Sequence, residues 1–77
     1  MNAARRKELN KIVEQLENIK SQLEDLQQEE QDAYDNLPES LQDSERDERM
    51  QEAADELENA ASYIDEVLDY INNAIEA

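Results

Sequence analysis

Twenty-two of the 77 side chains are carboxylates, and the chain has no His and no Cys to set beside them. Carboxylates alone can hold a hard cation, share a proton, or present negative charge. For a cation, Asp43, Glu45 and Asp47 have the alternate spacing of a calcium loop's first ligands. The position that needs Gly is Glu48, and the twelfth, bidentate position is Ala54, so the match fails. For acid–base work, two carboxyl groups need environments that push their proton affinities apart, and solvated helix faces do not supply them. Without His or Cys the usual nucleophile–base pairs are missing, as are thiolate and imidazole zinc sites. With Gly absent, no Gly-rich phosphate loop can form. The expectation is a protein that is not an enzyme, with no cofactor, no metal site and no catalytic residue.

What remains is charge as a surface. The net charge is −15 and it is uneven. In residues 1–20 five cations (Arg5, Arg6, Lys7, Lys11, Lys20) face three carboxylates, a net of +2, so the remainder carries −17. From Met50 onward there is no basic residue. Such a chain repels phosphates, which argues against direct binding to nucleic acid or an anionic membrane. It points instead to a basic protein as partner, one that itself binds nucleic acid.

The elements that would carry this charge are two long helices. A Gly-free chain with one Pro, rich in Glu, Gln, Leu and Ala, lacks the turn residues of sheets. High charge and low hydropathy are also the composition of disordered chains. The apolar spacing is too regular for that. Leu9, Ile12, Leu16, Ile19, Leu23, Leu26, Ala33 and Leu37 recur at threes and fours, broken once by Glu30. Leu9, Leu16, Leu23 and Leu37 take heptad position a, and Ile12, Ile19, Leu26 and Ala33 take d. The second half repeats it, with Met50, Leu57, Ile64 and Ile71 at a, and Ala53, Ala60, Val67 and Ala74 at d. Its stripe is wider. Ala54, Ala61, Leu68 and Ile75 lie one position further round, and Tyr63 and Tyr70 flank the other side.

Pro38 disfavours helix at Leu37 and suits the first turn of a new one. Ser44 can cap that helix, with Glu45 and Asp47 in its first turn; Ser40 could cap one starting a turn earlier. The spacing predicts helix 1 over about 3–36, a turn over about 37–44, and helix 2 over about 44–76. The fold class is all-α: a single antiparallel helical hairpin of coiled-coil type over 1–77. The hairpin brings Arg5, Arg6 and Lys7 to the negative end of helix 2. Glu30 either meets Arg49 or reaches solvent where the hairpin splays.

A hairpin with an a/d seam leaves the extra apolar positions of helix 2 open. A homodimer forming a four-helix bundle would cover them, with Tyr63, Tyr70, Leu68 and Ile75 as the apolar contact face. The competing use is contact with a foreign protein, and the two tyrosines read first as seam-edge packing with their hydroxyls in water, and second as a contact patch. On this expectation Leu68→Glu and Ile75→Glu break a dimer. A chain of 77 residues is marginal alone and has no disulfide to lean on.

The outward c and f positions of helix 2 read Glu45, Glu48, Glu52, Asp55, Asn59, Ser62, Glu66, Asp69, Asn73 and Glu76: seven carboxylates and no cation. Solvated helices ordinarily interleave Lys with Glu to form stabilising pairs four apart. Asp25, Asp32 and Asp35 extend the acidic surface onto helix 1. Spreading −17 along a rod of ~50 Å gives one charge per ~3 Å, within a factor of about two of duplex DNA. A rigid rod of that kind suits the basic groove of a DNA- or RNA-binding protein. The alternative is a structural or adaptor coiled coil that pairs through its apolar stripe, with the charge serving solubility.

The run Asp35-Asn36-Leu37-Pro38-Glu39-Ser40-Leu41-Gln42, followed by Ser44-Glu45-Arg46 and preceded by Glu29-Glu30-Gln31-Asp32-Ala33-Tyr34, resembles short acidic two-helix proteins of bacteria, their phages and mobile elements. The resemblance covers most of the chain and carries over no functional residue. It implies a mobile-element setting, in which small acidic proteins block defence nucleases such as CRISPR enzymes. The architecture is also similar to a plasmid RNA-binding hairpin that dimerises into a four-helix bundle. That protein's RNA-facing surface is basic where this one is acidic. No stretch approaches the ~20 apolar residues of a membrane span, and the N-terminus lacks the apolar core of a secretory signal. The expected location is the cytoplasm of a bacterial host cell.

Overall fold

The computed structural model describes residues 1–42 and 44–77. Two α-helices pack along their length: α1, Ala3–Asp35, and α2, Glu45–Glu76. A single 3-10 turn, Glu39–Leu41, joins them, and the described residues contain no strand. The result is a rod with Cα extents of 60 × 15 × 12 Å.

Local chemistry fixes the helix ends. At the start of α1, Asn2 Oδ1 accepts from the Arg5 backbone N–H at 2.8 Å. This is the N-cap role that Asn fills well, and the heptad pattern gave no sign of it. At the other end, both the backbone N–H and the side-chain amide of Asn36 donate to the Asp32 carbonyl. Those bonds occupy an acceptor that the helix would otherwise leave open. Pro38 then starts the 3-10 turn, closed by Leu41 N–H donating to the Pro38 carbonyl. Ser44 caps α2: its Oγ accepts from Asp47 N–H at 3.2 Å and donates to the Leu41 carbonyl. Glu45, Asp47 and Glu48 fill the first turn of α2, where the helix dipole favours negative charge. Asp43, the first of the alternate carboxylates, lies outside the described residues.

The seam between the helices corrects the a/d expectation. On α2 the buried residues are Ala54, Ala61 and Leu68, with Ala54 only 2% exposed. They belong to position e, together with half-buried Ile75. On α1 the half-buried residues are Leu9, Leu16, Leu23 and Glu30 at a, Arg6, Val13, Lys20, Gln27 and Tyr34 at e, and Gln31. Ile12, Ile19 and Leu26, placed in the seam by the pattern, are exposed instead. On α1, a and e therefore face the partner helix; on α2, e is the most buried position, with a and the d alanines Ala53, Ala60 and Ala74 half-buried beside it. Leu68 and Ile75 are part of the hairpin's own interior and not an open contact face.

A physical reason is available on both sides. Ala54 and Ala61 form a flat strip that lets α1 approach closely, as small residues do at helix contacts. Lys20 and Gln27 have long apolar stems that can lie over such a strip with their polar ends at its edge. Lys20 Nζ reaches Asp65 of α2 at 2.7 Å. At the open end, Arg6 Nε donates to the Ile75 carbonyl at 3.0 Å. This offsets the negative terminus of α2, as expected of the basic first turn. At the turn, Leu37 is buried. Arg49 pairs with Glu45 one turn away on its own helix, and half-buried Glu30 does not take it.

Candidate functional site

With a and e in the seam, the rest of each helix sorts into three surfaces. Residues advance about 100° around a helix, so c and f point away from the partner helix. All ten c and f positions of α2 are exposed. Seven are carboxylates: Glu45, Glu48, Glu52, Asp55, Glu66, Asp69 and Glu76. Asn59 and Ser62 interrupt them, which divides the surface into a cluster over 45–55 and a second over 66–76. The gap from Asp55 to Glu66 spans about 16 Å at 1.5 Å per residue. Among the described residues, Glu45 has Arg49 as a partner. Among the same residues no cation pairs with Glu48, Glu52, Asp55, Glu66, Asp69 or Glu76.

Asp25, Asp32 and Asp35 are exposed too, at c and f of α1. The two outer surfaces of a hairpin face opposite ways, so these three form a separate acidic edge rather than an extension of the α2 surface. Gln28 donates to Asp32 at 2.9 Å and Gln31 to Asp35 at 3.1 Å, holding both carboxylates against α1.

The lateral surfaces differ from one another. One carries Lys20, Glu24 and Asp65, joined by ion pairs. The Asp65 hydrogen bond and the two nearby carboxylates raise the Lys20 pKa above its ordinary 10.5, against a smaller lowering by desolvation. The other lateral surface carries positions d and g: Ile12, Ile19, Leu26 and Val67 at d, with Tyr63 and Tyr70 at g. All six are exposed. Sequence reasoning placed the first four in the seam and so missed them as surface. The signal that could have found them is the pair of neutral g residues beside them, Gln15 and Gln22, in a chain this rich in charge.

No three carboxylates among the described residues converge as metal ligands would. The surface hollows are open grooves, such as the one lined by Glu48, Gln51, Glu52 and Asp55. Among the described residues no helix is long and apolar enough to cross a membrane. No family model, no curated protein and no solved structure matches the chain.

Proposed function

We propose that the hairpin is a non-enzymatic acidic binding protein that mimics nucleic acid. Its α2 carboxylates would enter the basic groove of a protein that binds DNA or RNA. The observation that supports this reading is the outer surface of α2: exposed along its whole length, rich in carboxylates, and free of cations. Self-repulsion on that surface costs stability, and a basic groove relieves it. Two hairpins joined in a four-helix bundle would bring the rod to ~1.5 Å per charge, close to the ~1.7 Å of duplex DNA. The turn sequence, with its likeness to proteins of phages and mobile elements, makes a defence enzyme such as a CRISPR nuclease the partner to try first. Function in the cytoplasm of a bacterial host follows from that partner.

A second reading has its own observation. The exposed Ile12, Ile19, Leu26 and Val67 suit a structural or adaptor coiled coil that pairs through apolar contact.

One variant separates them. Glu52→Gln, Asp55→Asn, Glu66→Gln and Asp69→Asn together keep side-chain shape and remove four charges. Four ion pairs at ~1 kcal/mol each set the expected loss of partner affinity at several hundred-fold. Circular dichroism should show the helices intact, and free DNA or RNA should displace the parent from its partner. Unchanged affinity of the neutralised hairpin, measured by calorimetry near physiological salt, would reject the mimic and favour the adaptor.

A further inference from the structure

Seven large apolar side chains are exposed on the hairpin, and six of them share one lateral surface. Ile12, Ile19, Leu26, Tyr63, Val67 and Tyr70 are between 42% and 77% exposed, and the seventh, Met1, is at the chain terminus. Their common side follows from geometry. With a and e in the seam, d and g lie to one flank of each helix. Because the helices are antiparallel, those flanks fall on the same side of the hairpin. The Lys20–Asp65 and Arg6–Ile75 bonds set the level of the two helices. Ile19, the midpoint of α1, is therefore about level with residues 63–67 of α2.

We infer that this flank is the seat of a second copy of the chain, laid head to tail, so that α1 runs antiparallel over the partner's α1. The inference rests on the four-helix bundle proposed above and identifies its interface, which is not the Leu68 and Ile75 surface read from the sequence. Three observations select a second copy as occupant.

The first is charge. Two chains of −15 repel, and they close most readily where carboxylates are fewest. Along the middle of the flank the residues between the apolar side chains are Gln15, Gln22 and Ala60, none of them charged. A basic foreign partner would find more carboxylates on the outer surface of α2 than along this flank, where Glu8, Glu29 and Glu56 stand only towards the ends.

The second is area. The hairpin exposes 5898 Å². A globular monomer of 9.0 kDa exposes about 4,850 Å². The excess, roughly 1,000 Å², is what one partner of a standard-size stable interface covers, about 800 Å². Burying an apolar flank of this length would bring the surface per chain to the globular value.

The third is the end-to-end asymmetry. Between residues 29 and 51 nine carboxylates stand against Arg46 and Arg49. At the open end Arg5, Arg6, Lys7 and Lys11 stand against Glu8 and, from the adjoining end of α2, Glu76. With like ends together the acidic turns would adjoin; head to tail, each basic N-terminal turn adjoins the partner's acidic turn. The spacing of the d residues fits the same arrangement. Ile12 and Leu26 lie seven residues either side of Ile19, so a two-fold axis crossing at Ile19 sets Ile12 against the partner's Leu26.

Sedimentation equilibrium of the full chain at micromolar concentration, with no other protein present, should give twice 9.0 kDa. Ile19→Asp with Val67→Asp should give the monomer while circular dichroism remains helical. Because that pair could disturb the fold, Gln15→Glu with Gln22→Glu provides a second route. It adds acids to the flank without touching the seam, and dimer affinity should fall at least tenfold. Spin labels on Ala3→Cys should lie roughly one helix length apart, about 50 Å; labels adjacent at one end would overturn the head-to-tail arrangement. A parent that stays at 9.0 kDa, or pairs only with a foreign helix, overturns the inference, as does a dimer that survives the Gln15 and Gln22 changes. These masses are read without a partner. They leave the acidic-surface reading untouched, just as loss of partner affinity in the neutralised α2 variant leaves the dimer untouched.

Discussion

Two apolar strips flank the row of a residues, and the fold treats them in opposite ways. On α2 the e strip, Ala54, Ala61, Leu68 and Ile75, is packed against α1. The d strip of α1, Ile12, Ile19 and Leu26, is left open, as is Val67 on α2, while the other d residues of α2, Ala53, Ala60 and Ala74, are half-buried. Hydrophobicity alone would bury the d strip, since more area removed from water stabilises more. What meets α1 on α2 is Ala54 and Ala61, whose small side chains permit close approach. Ala53, Ala60 and Ala74 at d are equally small, so size alone does not choose between d and e on α2. Apolar pattern thus identifies candidate contact strips, and the packing of the two helices together decides which of them closes.

The largest expected effect tests that division. Leu68 is the most deeply buried large side chain, 8% exposed. Leu68→Ala should cost about 2–5 kcal/mol, against a total of roughly 4–12 kcal/mol for a domain of this length. Most of the cooperative unfolding transition should disappear in thermal denaturation followed by circular dichroism. Leu68→Glu and Ile75→Glu, expected from the sequence to break a dimer, should instead break the hairpin, because a carboxylate in the seam has no partner. Val67→Ala is the control, next in sequence but on the open strip. It should leave the midpoint of dilute monomer nearly unchanged. Equal losses at 67 and 68 would mean that the two strips are not distinguished as described.

Much of this was legible in the sequence. The two helices, the Pro38 break, the Ser44 cap and the meeting of the basic first turn with the end of α2 all follow from local residue chemistry. The outward position of the α2 carboxylates was legible too, because c and f face away whether the seam is a/d or a/e. The choice between d and e was not. On α1 the e residues include Lys20 and Gln27, which a hydrophobic pattern discounts even though their stems can cover a seam. On α2 both d and e are apolar, so the pattern is degenerate there. Resolving it required the interhelical approach at Ala54 and Ala61, a property of two helices together.

A smaller effect separates the open strip from the acidic surface: their responses to salt should have opposite signs. Dimerisation brings together two chains of −15, and screening that repulsion should strengthen it. Partner binding through the α2 carboxylates pairs unlike charges and should weaken as salt rises. Over a tenfold change in salt each affinity should move by about tenfold or more, since the Debye length shortens from about 10 Å to about 3 Å between 0.1 M and 1 M. Sedimentation and calorimetry on the same preparation would read the two slopes. Slopes of one sign would mean that a single surface serves both contacts.

The smallest expected effect concerns the remaining lateral surface, where Lys20 spans the helices to Asp65. Lys20→Met keeps the stem over the seam and removes only the charge. Because the side chain is 28% exposed, water and salt already screen the pair, and the thermal midpoint should fall only slightly. The pH dependence identifies the cause. The Asp65 hydrogen bond raises the Lys20 pKa above 10.5. A group whose folded pKa lies above its unfolded value stabilises the fold fully below the unfolded value, and that contribution is lost as pH rises through the folded one. The difference between parent and variant in urea unfolding should therefore be constant through neutral pH and vanish in strong alkali, above 10.5. A difference that persists there would assign the loss to packing of the stem rather than to the ion pair. The one ion pair between the helices among the described residues would then contribute nothing to holding α1 on the e strip.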